Sequence, residues 1–215
     1  MRYLFVALGL LFVGCEKKEA ARESETTQTQ EVVEEAPEAK PAQPKEEAKW
    51  VETPMVPEGQ RRQVAIATEA QRQLATQLMQ KLNAAIAEGG PSAGVEVCST
   101  VAPEIATSVG EANGVKIGRT SAKLRNPKNT APEWMVSVLE EEKNTRRFFS
   151  HPDGTLGVAT PIPMAELCVQ CHGPAEGISA EVKEALGAAY PEDEATGYKP
   201  GDTRGWFWIE VPAES

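Results

Sequence analysis

The chain has 215 residues, and its 32 acidic against 22 basic side chains give a formal net charge of −10. That length suits one domain with attachments rather than a multidomain enzyme, and a 40% hydrophobic content with four Trp is enough to build a core. The negative balance excludes sequence-independent nucleic-acid binding, which needs a basic stripe to displace counterions from phosphate, and it offers no charge attraction to anionic lipid.

Met1-Arg2 is followed by an apolar run from Tyr3 to Val13 and then by Gly14-Cys15. An early positive charge, a short apolar stretch and a small residue before the cut read as an export signal. The run is too short to cross a bilayer, which takes about 20 apolar residues, and no other stretch approaches that length. The ending Leu11-Phe12-Val13-Gly14-Cys15 resembles a bacterial lipoprotein cleavage box, with Phe12 where such boxes usually carry Leu. It implies a signal over residues 1–14, a lipidated Cys15 opening the mature chain, and an exported protein anchored in a membrane and facing the periplasm or cell exterior. An ordinary signal peptide with an incidental Cys is the blander alternative. Residues 15–57 then change character: Glu16 to Trp50 holds ten Glu, six Lys or Arg and three Pro, a balance of −4. Such a stretch cannot bury enough surface to offset its ordering entropy, so a disordered, extended tether is expected.

The folded part is expected over residues 58–215. Ala67, Leu74, Leu78, Leu82 and Ile86 recur at helical spacing and predict a long helix over Arg61–Glu88, ended by Gly89-Gly90-Pro91. Val95, Cys98, Ala102, Ile105 and Val109 predict a second helix over Ser92–Val109, bent by Pro103 one turn after Cys98. Val115–Ser121, Arg146–Ser150 and Thr155–Ile162 read as strands, the last two joined by a turn at His151-Pro152-Asp153-Gly154. Trp134, Val138 and Leu139 mark a helix within Pro132–Lys143, Ser179–Ala189 is a short amphipathic helix, and Gly205–Val211 is a closing strand. Helices first and hairpin strands after them predict an α+β fold with an antiparallel sheet.

Cys168-Val169-Gln170-Cys171-His172 is the motif that carries chemistry. Two cysteines three positions apart on a helical turn can form thioethers to the two vinyl groups of a haem, with the adjacent His facing the iron. A structural zinc site needs four N or S ligands, and only Cys98 and His151 remain to complete one. A thioredoxin-like pair opens a helix in a βαβ unit, which is missing here. A disulfide between Cys168 and Cys171 would be strained by its short loop. Export also favours haem attachment, which bacteria carry out outside the cytoplasm. For the other side of the iron, Cys98 and His151 are the strongest ligands left, and Met55, Met79, Met135 and Met164 are weaker ones. His151 reads as an exposed turn residue. Cys98, on an apolar helix face, stands level between ligand and buried free thiol.

Several separated blocks carry a resemblance. They are Cys98 with Ala102-Pro103-Glu104-Ile105-Ala106, then Gly118-Arg119-Thr120-Ser121 with Leu124-Arg125-Asn126-Pro127-Lys128-Asn129, then Cys168 to Gly173. Tyr190-Pro191-Glu192-Asp193, Ala195-Thr196-Gly197-Tyr198 and Gly201-Asp202-Thr203-Arg204-Gly205 follow in order. Together, over about residues 60–212, they resemble a bacterial family of single-haem c-type cytochromes with a PAS-like fold. The resemblance implies a PAS-like antiparallel sheet flanked by helices and preceded by a long helix. It implies one covalent haem c on Cys168 and Cys171, with iron held by His172 and by Cys98, which falls in the matching block. Arg119, Arg125, Asn126 and Arg204 lie in the blocks and are candidates for the haem propionates.

A thiolate ligand stabilises ferric iron and should give a low potential, and two axial ligands leave no open position for an enzyme's substrate. The expected function is therefore single-electron transfer by a tethered cytochrome with an extracytoplasmic redox partner. The alternative is a haem-based redox or gas sensor acting through a separate signalling protein, since family members form the input half of sensor kinases and this sequence carries no kinase segment. A peroxidase-like or thiol enzyme is a weaker third.

Overall fold

The computed structural model describes residues 49–56, 58–141 and 143–213. The export signal, Cys15 and most of the expected tether lie outside the described residues.

Helix α1 spans Arg61–Glu96 and buries Ala67, Ala70, Leu74 and Leu78, the stripe that the apolar spacing predicts. It is two rods rather than one. Gly90 sits at φ 74°, a left-handed conformation that costs an L side chain but not glycine, and Pro91 restarts the helix where no N–H is needed. Gly94 lets the second rod approach the first, because a Cβ there would lie 2.8 Å from Leu82 Cδ1. The expected bend at Pro103 takes a different form. Residues Val97–Val101 widen into a π-helical turn, closed by Ala102 N–H on the Val97 carbonyl, and Pro103 lies in the first turn of α2, Ala102–Asn113. A turn already widened tolerates the missing proline donor, and Cys98 lies within it.

Five strands form one antiparallel sheet in the order β1-β3-β4-β5-β2: β1 Val51–Thr53, β2 Lys116–Thr120, β3 Arg147–Ser150, β4 Leu156–Pro163 and β5 Thr203–Val211. Strand β1 corrects the expected tether boundary. It pairs with β3, the Trp50 ring packs 5.4 Å from Trp134, and Glu52 takes two bonds from Arg147 at 2.6 and 2.7 Å. Side-chain alternation divides the sheet into two faces. Leu156, Val158, Ile209, Phe207 and Ile117 pack under α1 and α2, against Leu74, Leu78, Ile105 and Val109. Phe149, Ala159 and Trp206 on the opposite face are covered by Trp134, Met135 and Val138, from the turn Glu133–Met135 and helix α3, Val136–Glu140.

The remaining helices, α4 (Val169–His172) and α5 (Ala180–Ala189), lie between β4 and β5 in the chain. Ser179 caps α5 by accepting from Val182 N–H at 3.3 Å, and Val182, Leu186, Ile178 and Tyr190 pack on Val95 of the second rod. The α+β class with a sheet of antiparallel strands is as expected. Among the described residues, no helix is long and apolar enough to cross a membrane.

Candidate functional site

The turn Glu166–Cys168 feeds into α4, and together they place Cys168, Cys171 and His172 on the wall of a cleft with about 1100 Å³ of empty space, part of it open to solvent. Cys98 lines the same cleft from the π turn, so the sequence-predicted pair of iron ligands converges although 74 positions separate its members. Leu78, Leu82 and Ile86 of α1 make one apolar wall, and Leu124, Ile162 and Leu167 add to it. Cys98, Cys168 and Cys171 are all free thiols.

His172 is held from several sides. Its Nδ1 lies 2.8 Å from the Ala195 carbonyl and 3.0 Å from Arg204 Nε. Both cannot be hydrogen bonds to one nitrogen in one tautomer. A carbonyl can only accept, and Arg125, which can only donate, faces Nε2, so the tautomer that serves both contacts carries its proton on Nδ1 and donates it to Ala195, with Arg204 adjacent. Nε2 is then the nitrogen with the lone pair, and in this structure Arg125 Nη1 faces it at a long 3.4 Å. Burial, with Arg125 and Arg204 adding to it and the Ala195 bond opposing, pulls the imidazole pKa down to about 3. The ring is therefore neutral at physiological pH, the form that ligates a metal.

Arg125 ties the loop after α5 to the motif. Its Nη2 donates to the Cys171 carbonyl at 2.5 Å and the Ala195 carbonyl at 3.3 Å, and its Nε donates to Asp193 Oδ2 at 3.1 Å. Asp193 Oδ1 in turn accepts from Ala195 N–H at 2.8 Å. Tyr198 N–H donates to the His172 carbonyl at 3.0 Å, and the Tyr198 ring meets the imidazole edge-on with centroids 6.5 Å apart. Arg204 packs over that ring at 5.4 Å and donates to the Lys123 carbonyl at 3.2 Å.

Arg119 reaches the cleft differently. It pairs in register with Phe207 and lies two residues after Ile117, so alternation puts it on the helix-covered face. It has no hydrogen-bond or ion-pair partner among the described residues.

Asn126, expected at the site, is not among the residues that line the cleft. Its side chain accepts from Lys128 N–H at 2.9 Å and closes its own turn, and Asn129 lines the cleft instead. His151 is remote, bonded to Asp153 at 2.8 Å beside Trp50. Of the four methionines weighed, only Met79 lines the cleft. Among the described residues, no group of three or more His, Cys, Asp or Glu is arranged to hold a metal ion. Sequence reasoning missed Ala195, Asp193 and Tyr198 as partners of the motif. Ala195 acts through a carbonyl, which no side-chain pattern announces.

The model of the Tll0287-like family matches residues 17–212. No curated protein matches the chain. The structure is similar to the crystal structure of the cyanobacterial heme-protein Tll0287, at 22% sequence identity and a TM-score of 0.55, over 72% of this chain and 98% of that one. The likeness shows the fold, which is α+β and PAS-like, as expected.

Proposed function

The chain belongs to the Tll0287-like family, and from that premise we propose that it is an exported, lipid-anchored cytochrome with one covalent haem c, which passes single electrons to a redox partner. One observation carries this: Cys98, Cys168, Cys171 and His172 converge on one apolar-walled cleft that also holds three guanidinium groups. That the structurally similar cyanobacterial protein is described as a heme-protein supports it.

The residues present fit the group. The apolar walls from α1 suit a macrocycle, neutral His172 presents Nε2, and Arg119, a cation with no partner among the described residues, suits an anionic group in the cleft. Cys168 and Cys171 would carry the thioethers, and His172 and Cys98 would be the iron ligands. Bound haem supplies a one-electron ferric–ferrous couple, which thiolate ligation holds at low potential. The rest is the protein's own work. The Ala195 carbonyl fixes the tautomer and orientation of His172 and raises its basicity as a donor. Arg125 and Asp193 hold that carbonyl in place, and Leu78, Leu82 and Ile86 limit water.

Protein made in a strain with haem-attachment machinery is expected to gain the mass of one haem and to keep its colour through acid–acetone extraction. Freely extracted colour rejects covalent attachment. Rapid electron exchange with small cytochromes in stopped flow is expected of a carrier. Slow exchange with a spectral change on adding CO would replace this reading with that of a sensor.

A further inference from the structure

Three arginines line the cleft, and two of them are already committed. Arg125 is bonded to Asp193, to two carbonyls and towards His172, and Arg204 lies against His172, Tyr198 and the Lys123 carbonyl. Arg119 is not. It projects from β2 on the face that α1 and α2 cover, where its row neighbours are Phe207 and, two residues back, Ile117. A cation in such a place, with no partner among the described residues, is costly unless an anion shares the cleft. Of the three thiols in that cleft, Cys168 and Cys171 would be taken up as thioethers in the haem reading, which leaves Cys98, presented from the π turn, as the one able to carry negative charge. The packing agrees: Val97 and Ala102, which flank Cys98 along the π turn, sit in one core cluster with Ile117 and Phe207, the neighbours of Arg119.

Resting on the haem reading above, we propose that Arg119 is the charge partner of the Cys98 thiolate, a positioning residue that tunes how strongly this sulfur favours ferric iron. In a site of low dielectric, a guanidinium near the sulfur withdraws part of the electron density that the thiolate would otherwise give the metal. Removing it should make the sulfur a stronger donor and the ferric state more stable.

The test is a double-mutant cycle on holoprotein, read by reduction potential and by the ferric thiolate-to-iron charge-transfer band. Arg119→Gln is expected to lower the potential and shift the band, and Arg119→Lys to restore most of both. In a Cys98→Ala background the same Arg119→Gln change is expected to move the potential much less. Equal shifts in the two backgrounds overturn the proposal and place Arg119 on a haem carboxylate. An unchanged potential with the thiolate spectrum intact overturns it as well. If Arg119→Gln gives no soluble holoprotein, Arg119→Met and Arg119→Lys make the same comparison. Failure of the haem reading looks different, since the unsubstituted protein would then gain no haem mass.

Discussion

Arg125 and Asp193 keep 8% and 11% of their side chains exposed, so their charges meet largely out of water. Asp193→Ala would leave a buried guanidinium without its counter-charge and release the Ala195 N–H as well. The expected cost is about 3–5 kcal/mol, measurable as a lower urea midpoint at unchanged slope, whereas breaking an exposed pair such as Glu69–Arg72 should leave the midpoint almost where it is. The same residues mark the limit of what the sequence discloses. Cys168, Cys171 and His172 are legible because their spacing puts them on one helical turn. The partners of His172 are not, because a main-chain carbonyl has no letter of its own. Asn126 fails for a related reason. It is next to Arg125 in the chain, but a turn sends the two side chains in different directions, and adjacency alone says nothing about that.

The helices follow their apolar periodicity closely, and Gly89-Gly90-Pro91 breaks α1 where glycine and proline chemistry predicts. Strand β1 was hidden. Three residues at a sheet edge carry no alternation to read, and a Glu-rich neighbourhood argues for solvation until Arg147 is seen waiting across the ladder. That pairing makes β1 sensitive to acid. Bonds from Arg147, partly opposed by burial, hold Glu52 below its ordinary value of 4.5. A lowered carboxylate stabilises fully above the unfolded value and loses that contribution as pH falls through the folded one. Protection factors for amide exchange in Val51–Thr53, corrected for the intrinsic pH dependence of exchange, are therefore expected to fall below about pH 4.5 before those of the rest of the sheet. With the Glu52 side chain 41% exposed, the effect should stay under ~1 kcal/mol, and Glu52→Gln should abolish the pH step.

On the scale of the molecule, the α+β class was readable from the succession of elements, and the strand order was not. Residue pairs such as Gly118 with Trp208 are set by contacts 90 positions apart, beyond the reach of any local pattern. The proposed membrane anchor belongs to this scale too. Cys15→Ala is expected to move the protein from the membrane to the soluble fraction, and retention on the membrane would remove the lipid from the proposal. Because the described chain enters the sheet through Trp50 and β1, any pull through the proposed lipid anchor would be borne there by three rungs of backbone ladder and the Glu52–Arg147 clasp. Beneath them sits Trp50, wedged between Trp134 and His151. Mechanical load would thus peel the outermost ribbon from the edge farthest from β2, leaving the helix-lined chamber at the other side of the sheet undisturbed.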